Sequence, residues 1–447
     1  MEQSEYPVSL RNFPYPYCAA ATICSDIDDC SRQAFIDIHR ILNVELKLPI
    51  ADSFFGQKSW PWQMAYYEND GQTITADAPF LDQAIDDGLI DSIHTWGDFQ
   101  EIEPNPEKLK ALASQISDRL IANGHKINVW IHHGTLPNYQ NISSRIYSEC
   151  SGDDPHSPFY TTDYMSEIGV KFCWTGELVN FPLSDQLSAF NPIIIRRYAV
   201  NALKNMVKRC IGSDDRKRLW MALKELCVPK QLRDKQTILS FSRFFYHPDG
   251  MDTVASRSTF RYCLSPNILD QLIDAQGYLI LYTHLAFPRQ WDGDMFADMK
   301  VLEDLERDGY LNLQTDSEQS GAGYFTKPDL AALKDLARRY QEGKIWVAPT
   351  GKLLTYWMIQ HYLKWQFEEK DNHFKIHLEQ LDDPTTGSRL PLEKEVAGLC
   401  FYTPAPELTT IWLGDKELHT QINPPDIMDK ASLSLELPPP PRTNLLY

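Results

Sequence analysis

An alternation constrains this chain more than any other feature. Over about the first 350 residues, short apolar runs rich in β-branched and aromatic side chains recur, each followed by a longer stretch of helical periodicity. The runs lie at 19–24, 48–51, 90–93, 127–131, 170–174, 237–241, 278–282 and 345–348. Helical candidates between them include 31–42, 268–275 and 105–123, where Leu109, Leu112, Ile116 and Leu120 share one face. Seven or eight such units predict an α/β chain on a parallel sheet, as a (β/α) barrel or a large doubly wound sheet.

The residues that follow the runs favour the barrel. Asp26, Asp28 and Asp29 follow the first run, Asp52 the second, His94 and Asp98 the third, and His132 and His133 the fourth. Glu177, Arg243, Thr283 with His284, and Thr350 follow the later ones. In a barrel the C-terminal strand ends meet at one face, so polar groups from many strands converge on one pocket. The expected fold is therefore a distorted (β/α) barrel of seven to eight units over residues 1–370. Its length includes extra helices at 196–210 and 216–227. From 371 to 447 the pattern changes to short strands at 374–377, 398–403, 409–413 and 432–437 joined by Pro-, Asp- and Gly-containing turns. This predicts a small β-rich domain with an extended Pro-rich tail.

Composition narrows the function. The net charge of −18 argues against nucleic acid as a partner, since phosphate neutralisation needs a basic surface. The longest apolar runs fall far short of the roughly 18 residues a membrane span requires. The first residues carry Glu2 and Glu5 in place of a basic region followed by an apolar one, which points to the cytosol. Nine scattered cysteines without a C-x-x-C pair read as reduced thiols, not a zinc ribbon.

Three local signals carry chemistry. Ser25-Asp26-Ile27-Asp28-Asp29 crowds three carboxylates behind an apolar strand, a repulsion that a divalent cation relieves. The ordinary alternative is a helix cap, since a helix is expected to begin near Ser31. His94-Thr95-Trp96-Gly97-Asp98 sets an imidazole and a carboxylate four positions apart, where a helical or turn-like segment presents both to one side. With one carboxylate of the first cluster they make three N/O ligands and leave positions open for water and substrate, a catalytic rather than a structural arrangement. Finally, the apolar run at 278–282 leads through Thr283 to His284, suited by its ordinary pKa to protonate a leaving group. His132 and His133 are a competing pair, of which the strand period sends one toward the site and one away.

This constellation resembles the polysaccharide deacetylases of carbohydrate esterase family four, the NodB-type homology domain. The likeness runs over about residues 15–350 and rests on D-x-D-D after the first strand, H-[S/T]-x-x-[H/D] after the third and a late strand closing in His. It implies Asp26 as general base, Asp28 (or Asp29) with His94 and Asp98 as ligands of a divalent metal, zinc first among the candidates, and His284 as general acid. The remaining polar residues at that face, His132, His133, Trp174, Glu177 and Arg243, become candidates for substrate contact. Two departures stand out: Asp98 replaces the family's second histidine, and Trp130-Ile131-His132-His133-Gly134 stands where an Arg-x-Pro-aromatic motif is usual.

The implied activity is metal-dependent removal of an N-acyl group from an amino sugar or glycan intermediate. Trp60, Trp62, Trp96, Trp174 and Trp291 are available to stack on sugars or to pack in the core. Two other readings stay open: a glycoside hydrolase pairing Asp26 or Asp28 with Glu177, and a catalytically silent carbohydrate-binding or scaffold protein.

Overall fold

The computed structural model describes residues 7–28, 30–99, 105–133, 138–142, 150–179, 181–184, 226–246, 260–285, 325, 327–426, 428–440 and 443–446. Asp29, Trp291, the expected helix at 196–210 and all but the last two residues of the one expected at 216–227 lie outside them, and Cys227 opens a strand instead.

The protein is mixed α/β. After a two-residue strand β1 (Ser9–Leu10), the large sheet is built from β2 (Ala19–Ser25), β3 (Asp52–Gln57), β4 (Ala65–Tyr67), β5 (Ile90–Ile93), β6 (Val129–Ile131), β7 (Phe172–Val179), β8 (Cys227–Gln231), β9 (Thr237–Phe244), β10 (Tyr278–Thr283) and β11 (Ile345–Val347). Its order is β11-β2-β10-β9-β7-β6-β5-β3-β4, parallel throughout, with β8 added antiparallel to β9. Every residue of β2 is buried, as expected for a parallel strand covered on both faces.

The helices follow from their sequences. Pro106–Ala122 begins behind Asn105, whose side chain accepts from the Lys108 amide at 2.8 Å, and it buries Leu109, Leu112, Ile116 and Leu120 on one side. Arg32–His39 is capped by Ser31, which accepts from the Ala34 amide at 3.2 Å. That leaves Asp28 uncommitted to capping.

Two contacts draw distant parts of the sheet together. The Ser53 hydroxyl donates to the Ser25 carbonyl at 2.9 Å, joining β3 to β2, although the two are not ladder neighbours. The helix Thr350–Tyr362 places Thr350 Oγ1 3.4 Å from Thr22 of β2, while its Gly351 amide donates to Asp91 of β5 at 2.6 Å.

The C-terminal region is β-rich, and its pairing begins at Leu363. Strands β12 (Leu363–Lys370), β13 (His373–Asp383), β14 (Gly387–Arg389), β16 (Thr409–Leu413) and β17 (Lys416–Glu417) make one small sheet. β15 (Cys400–Tyr402), β18 (Thr420–Asn423) and β19 (Ser432–Leu435) make another together with β1. No helix among the described residues is long and apolar enough to cross a membrane. The cysteines among them are free thiols.

Candidate metal centre

The C-terminal ends of β2, β5, β6, β9 and β10 supply the site. Beyond β5 the His94 amide still donates to the Phe54 carbonyl at 2.8 Å, which fixes the start of the following turn. Thr95 then takes φ +66°, a left-handed backbone rare for a β-branched residue, with its hydroxyl donating to the Gly97 carbonyl at 3.0 Å. The chain doubles back, and Asp98 returns on the far side of its neighbours.

Three groups meet at one point: Asp28, His94 and His133 form a cluster able to hold a metal ion. His94 Nε2 lies 3.0 Å from Asp28 Oδ1, His133 Nδ1 lies 3.5 Å from the same oxygen, and the two ring nitrogens are 3.1 Å apart. The other ring nitrogens have partners of their own. His94 Nδ1 faces the Ile131 carbonyl at 3.3 Å and must donate to it, while His133 Nε2 sits 2.7 Å from Asp98 Oδ1. His94 Nε2 and His133 Nδ1 thus both face Asp28 Oδ1, a buried oxygen that, like His133 Nε2 and Asp98 Oδ1, makes no aligned hydrogen bond among the described residues.

This triad differs from the expected ligand set. Asp98 does not join Asp28 and His94; His133, expected to touch substrate, takes that place. The cause is the left-handed turn at Thr95: an i,i+4 pair shares one side only in a regular helical segment. Asp98 instead stands behind His133 as its orienting carboxylate, a partner common to metal-bound histidines. Its other oxygen accepts from the Gln63 side-chain amide, and its carbonyl accepts from the Ser59 hydroxyl.

The electrostatics are tightly coupled. Burial works against the Asp28 carboxylate, but His133, His284 and His94 outweigh it and hold its pKa well below the usual carboxylate range. Burial also opposes the His133 cation, yet Asp28 and Asp98 push its pKa up to about 9. His284 follows β10 with Nε2 3.3 Å from Asp28 Oδ2, and that carboxylate raises its pKa against the effect of burial.

Asp26 has a separate environment. Arg243 grips it with both guanidinium nitrogens, Nη2 at 3.1 Å from Oδ2 and Nη1 on Oδ1. The guanidinium is fully buried between the rings of Trp174, 3.5 Å from the centroid, and Tyr282, 4.2 Å away. Arg243, expected to meet substrate, is thus committed to Asp26. A bulge in β7 makes room for this: the register slips between Trp174 and Leu178, Gly176 adopts φ +96°, and the Trp174 indole donates to the Glu177 carbonyl at 2.8 Å. Glu177 lies within β7, not beyond it, and its carboxylate accepts from Thr175 at 2.6 Å.

His132 points away from its neighbour, as the strand period predicts. Its Nε2 accepts from the Ile142 amide at 3.1 Å, and burial followed by the nearby Lys230 charge holds its pKa well below the ordinary value, so it acts as a neutral acceptor. Asp52 opens β3 at the opposite end of the sheet, beside His39, and has no place in the site.

Sequence reading passed over the residues that lock the two histidine-bearing loops. Asn141 brackets the His133 backbone, accepting from its amide at 3.3 Å and donating to its carbonyl at 2.9 Å. Gln140 does the same between the Trp96 amide and the Gly97 carbonyl. The only sequence signal for them is an Asn-x-Gln-Asn run in an otherwise unpatterned loop. Comparison with protein-family models, curated proteins and solved structures returns no match to this chain.

Proposed function

We propose that this protein is a metal-dependent hydrolase that removes an N-acyl group from an amino sugar, built on a sheet curled into a distorted barrel. The ligand spacing carries the reading. A tetrahedral zinc ion about 2.0–2.1 Å from each ligand requires neighbouring donor atoms to be roughly 3.3 Å apart, and the three separations here are 3.0, 3.1 and 3.5 Å. Three ligands leave a position open, as catalytic sites do. The Ser53–Ser25 bond and the helix reaching both Thr22 and Asp91 support the curled sheet. The D-x-D-D and His284 resemblance supports the substrate class.

A divalent cation held there supplies Lewis-acid polarisation of an acyl carbonyl and an acidified water. The chain's own groups do the rest. Asp26, held in place by Arg243, is the base that takes a proton, each oxygen retaining a lone pair beyond its guanidinium contact. His284, whose pKa Asp28 raises, is the protonated group positioned to deliver a proton to the departing amine. Asp98, 2.7 Å from His133 Nε2, orients that ring so that Nδ1 faces the site.

Metal analysis of the purified protein, together with acetate release from N-acetylated amino sugars, tests the reading. Near-stoichiometric metal and metal-dependent acetate release are expected. Metal-free protein, or loaded protein that releases no acetate from any sugar offered, would overturn it.

A further inference from the structure

No step above uses the C-terminal sheets, and one of their edges stands open. β12 lies at the rim of its sheet, paired with β13 on one side and, among the described residues, with nothing on the other. It is eight residues long, against two for β17 at the opposite rim. Natural sheets shorten or cover their edges, because a row of free amide and carbonyl groups is a template for another strand. This edge is also rigid. The helix Thr350–Tyr362 runs into it without a loop, and Trp365 packs edge to face on Phe401 with 4.9 Å between ring centroids.

The hairpin fixes which residues of the edge can bond outward. Asp371 and Asn372 both take left-handed φ, 51° and 60°, in a two-residue turn closed by the Lys370–His373 pair. That closing pair exchanges hydrogen bonds across the turn, so by strand alternation Gln366 and Glu368 also bond to β13. Trp365, Phe367 and Glu369 therefore turn their amides and carbonyls to the outer edge. An added antiparallel strand must set its own bonding residues against these three.

We infer that the occupant is a second copy of β12, joined across a two-fold axis at Gln366. In that register Trp365 of one copy opposes Phe367 of the other, so the outward bonding groups meet and half-buried aromatic rings pair across the axis. On the solvent face Lys364 opposes Glu368, twice over. Their side chains are 60% and 71% exposed, Lys364 lying 2.6 Å from Asp382 and Glu368 3.9 Å from His377 within their own chain. Centring the pair on Phe367 would instead oppose Lys364 to Lys370, and centring it on Glu369 would set that carboxylate against itself. Charges that keep an unrelated strand away thus select this chain's own edge. The assembly goes beyond the hydrolase reading and does not depend on metal.

Sedimentation velocity of the full chain over a concentration series, joined with cysteine cross-linking, tests this. A monomer–dimer equilibrium is expected. Lys364→Glu and Glu368→Lys each set like charges together twice, and each is expected to weaken the dimer about tenfold or more. An equimolar mixture of the two variants restores opposite charges and should recover the dimer. Opposed residues that do not exchange hydrogen bonds have Cα atoms about 4.5 Å apart, within disulfide reach. Gln366→Cys is therefore expected to give a covalent dimer on air oxidation, reversed by thiol reductant, while Lys370→Cys at the hairpin tip stays monomeric on a non-reducing gel. Circular dichroism checks that each variant folds. A wild-type monomer at every concentration would overturn the inference. So would a dimer that survives both charge reversals, a mixture that stays monomeric, or cross-linking at Lys370→Cys equal to that at Gln366→Cys.

Discussion

Both ends of the parallel sheet hold buried or half-buried carboxylates, and they are satisfied in different ways. At the N-terminal end Asp52 accepts from the Ser53 amide at 2.8 Å and lies 3.6 Å from His39, while Asp91 accepts from the Gly351 amide at the start of a helix. Each is answered by backbone within its own neighbourhood. At the C-terminal end Asp28 faces three imidazoles, and one of its oxygens receives no aligned donor among the described residues. A structural carboxylate is matched to donors; a carboxylate oxygen set among imidazole nitrogens at ligand spacing marks a place for a cation.

The difference can be broken experimentally at either end. The largest effect is expected from Asp28→Ala, which should reduce bound metal from near one equivalent to none and abolish any metal-dependent activity, with the fold retained. Elemental analysis beside circular dichroism reads both, and retained stoichiometric metal would erase the contrast. Next comes Arg243→Met, expected to cost about 3–5 kcal/mol in urea unfolding because it strands a buried Asp26 charge. Adding Asp26→Asn should recover much of that loss. A double variant as unstable as the sum of the singles would show that the pair is not coupled.

At the quieter end, Asp91 yields a pH prediction of opposite sense to that of a paired carboxylate. Burial raises its pKa from the ordinary carboxylate value of 3.8 to about 6, so the folded state binds the proton more tightly than the unfolded chain does. Stability from this group is therefore present at acid pH and falls as pH rises through about 4 to 6, by up to about 3 kcal/mol. Asp91→Asn should gain on the wild type by that amount between pH 4 and pH 7, and a pH-independent difference would contradict the assignment. The smallest change is expected from Asp98→Asn: metal stays bound but roughly 10- to 100-fold more weakly, as for loss of an orienting partner. Competition with a chelator of known affinity measures it, and complete loss of metal would instead make Asp98 a ligand.

Much of the fold was legible because parallel strands buried on both faces read as unbroken apolar runs. The runs at 19–24, 90–93 and 278–282 match β2, β5 and β10 closely. The run at 48–51 failed. It contains Pro49, and the strand begins only at Asp52, through Ser53 and Gly56, residues of low strand propensity. Gly56 is needed there, since a Cβ would fall 2.4 Å from the Trp96 carbonyl. β7 and β9 run past their apolar runs because Glu177 and Arg243 are satisfied inside the sheet, Glu177 by Thr175 of its own strand and Arg243 by Asp26, far away in the chain.

What the sequence determined by itself is the parallel α/β architecture and the identity of the polar residues that stand at its strand ends, Asp26, Asp28, His94, His133 and His284 among them. Which of them meet was decided by tertiary structure. One left-handed residue, Thr95, turns Asp98 behind His133 instead of beside His94, and the β7 bulge seats Trp174 over Arg243, which closes on Asp26. Periodicity reports the direction of a side chain within a regular element. It carries no record of a turn of irregular φ, nor of the long-range partner that makes such a turn stable.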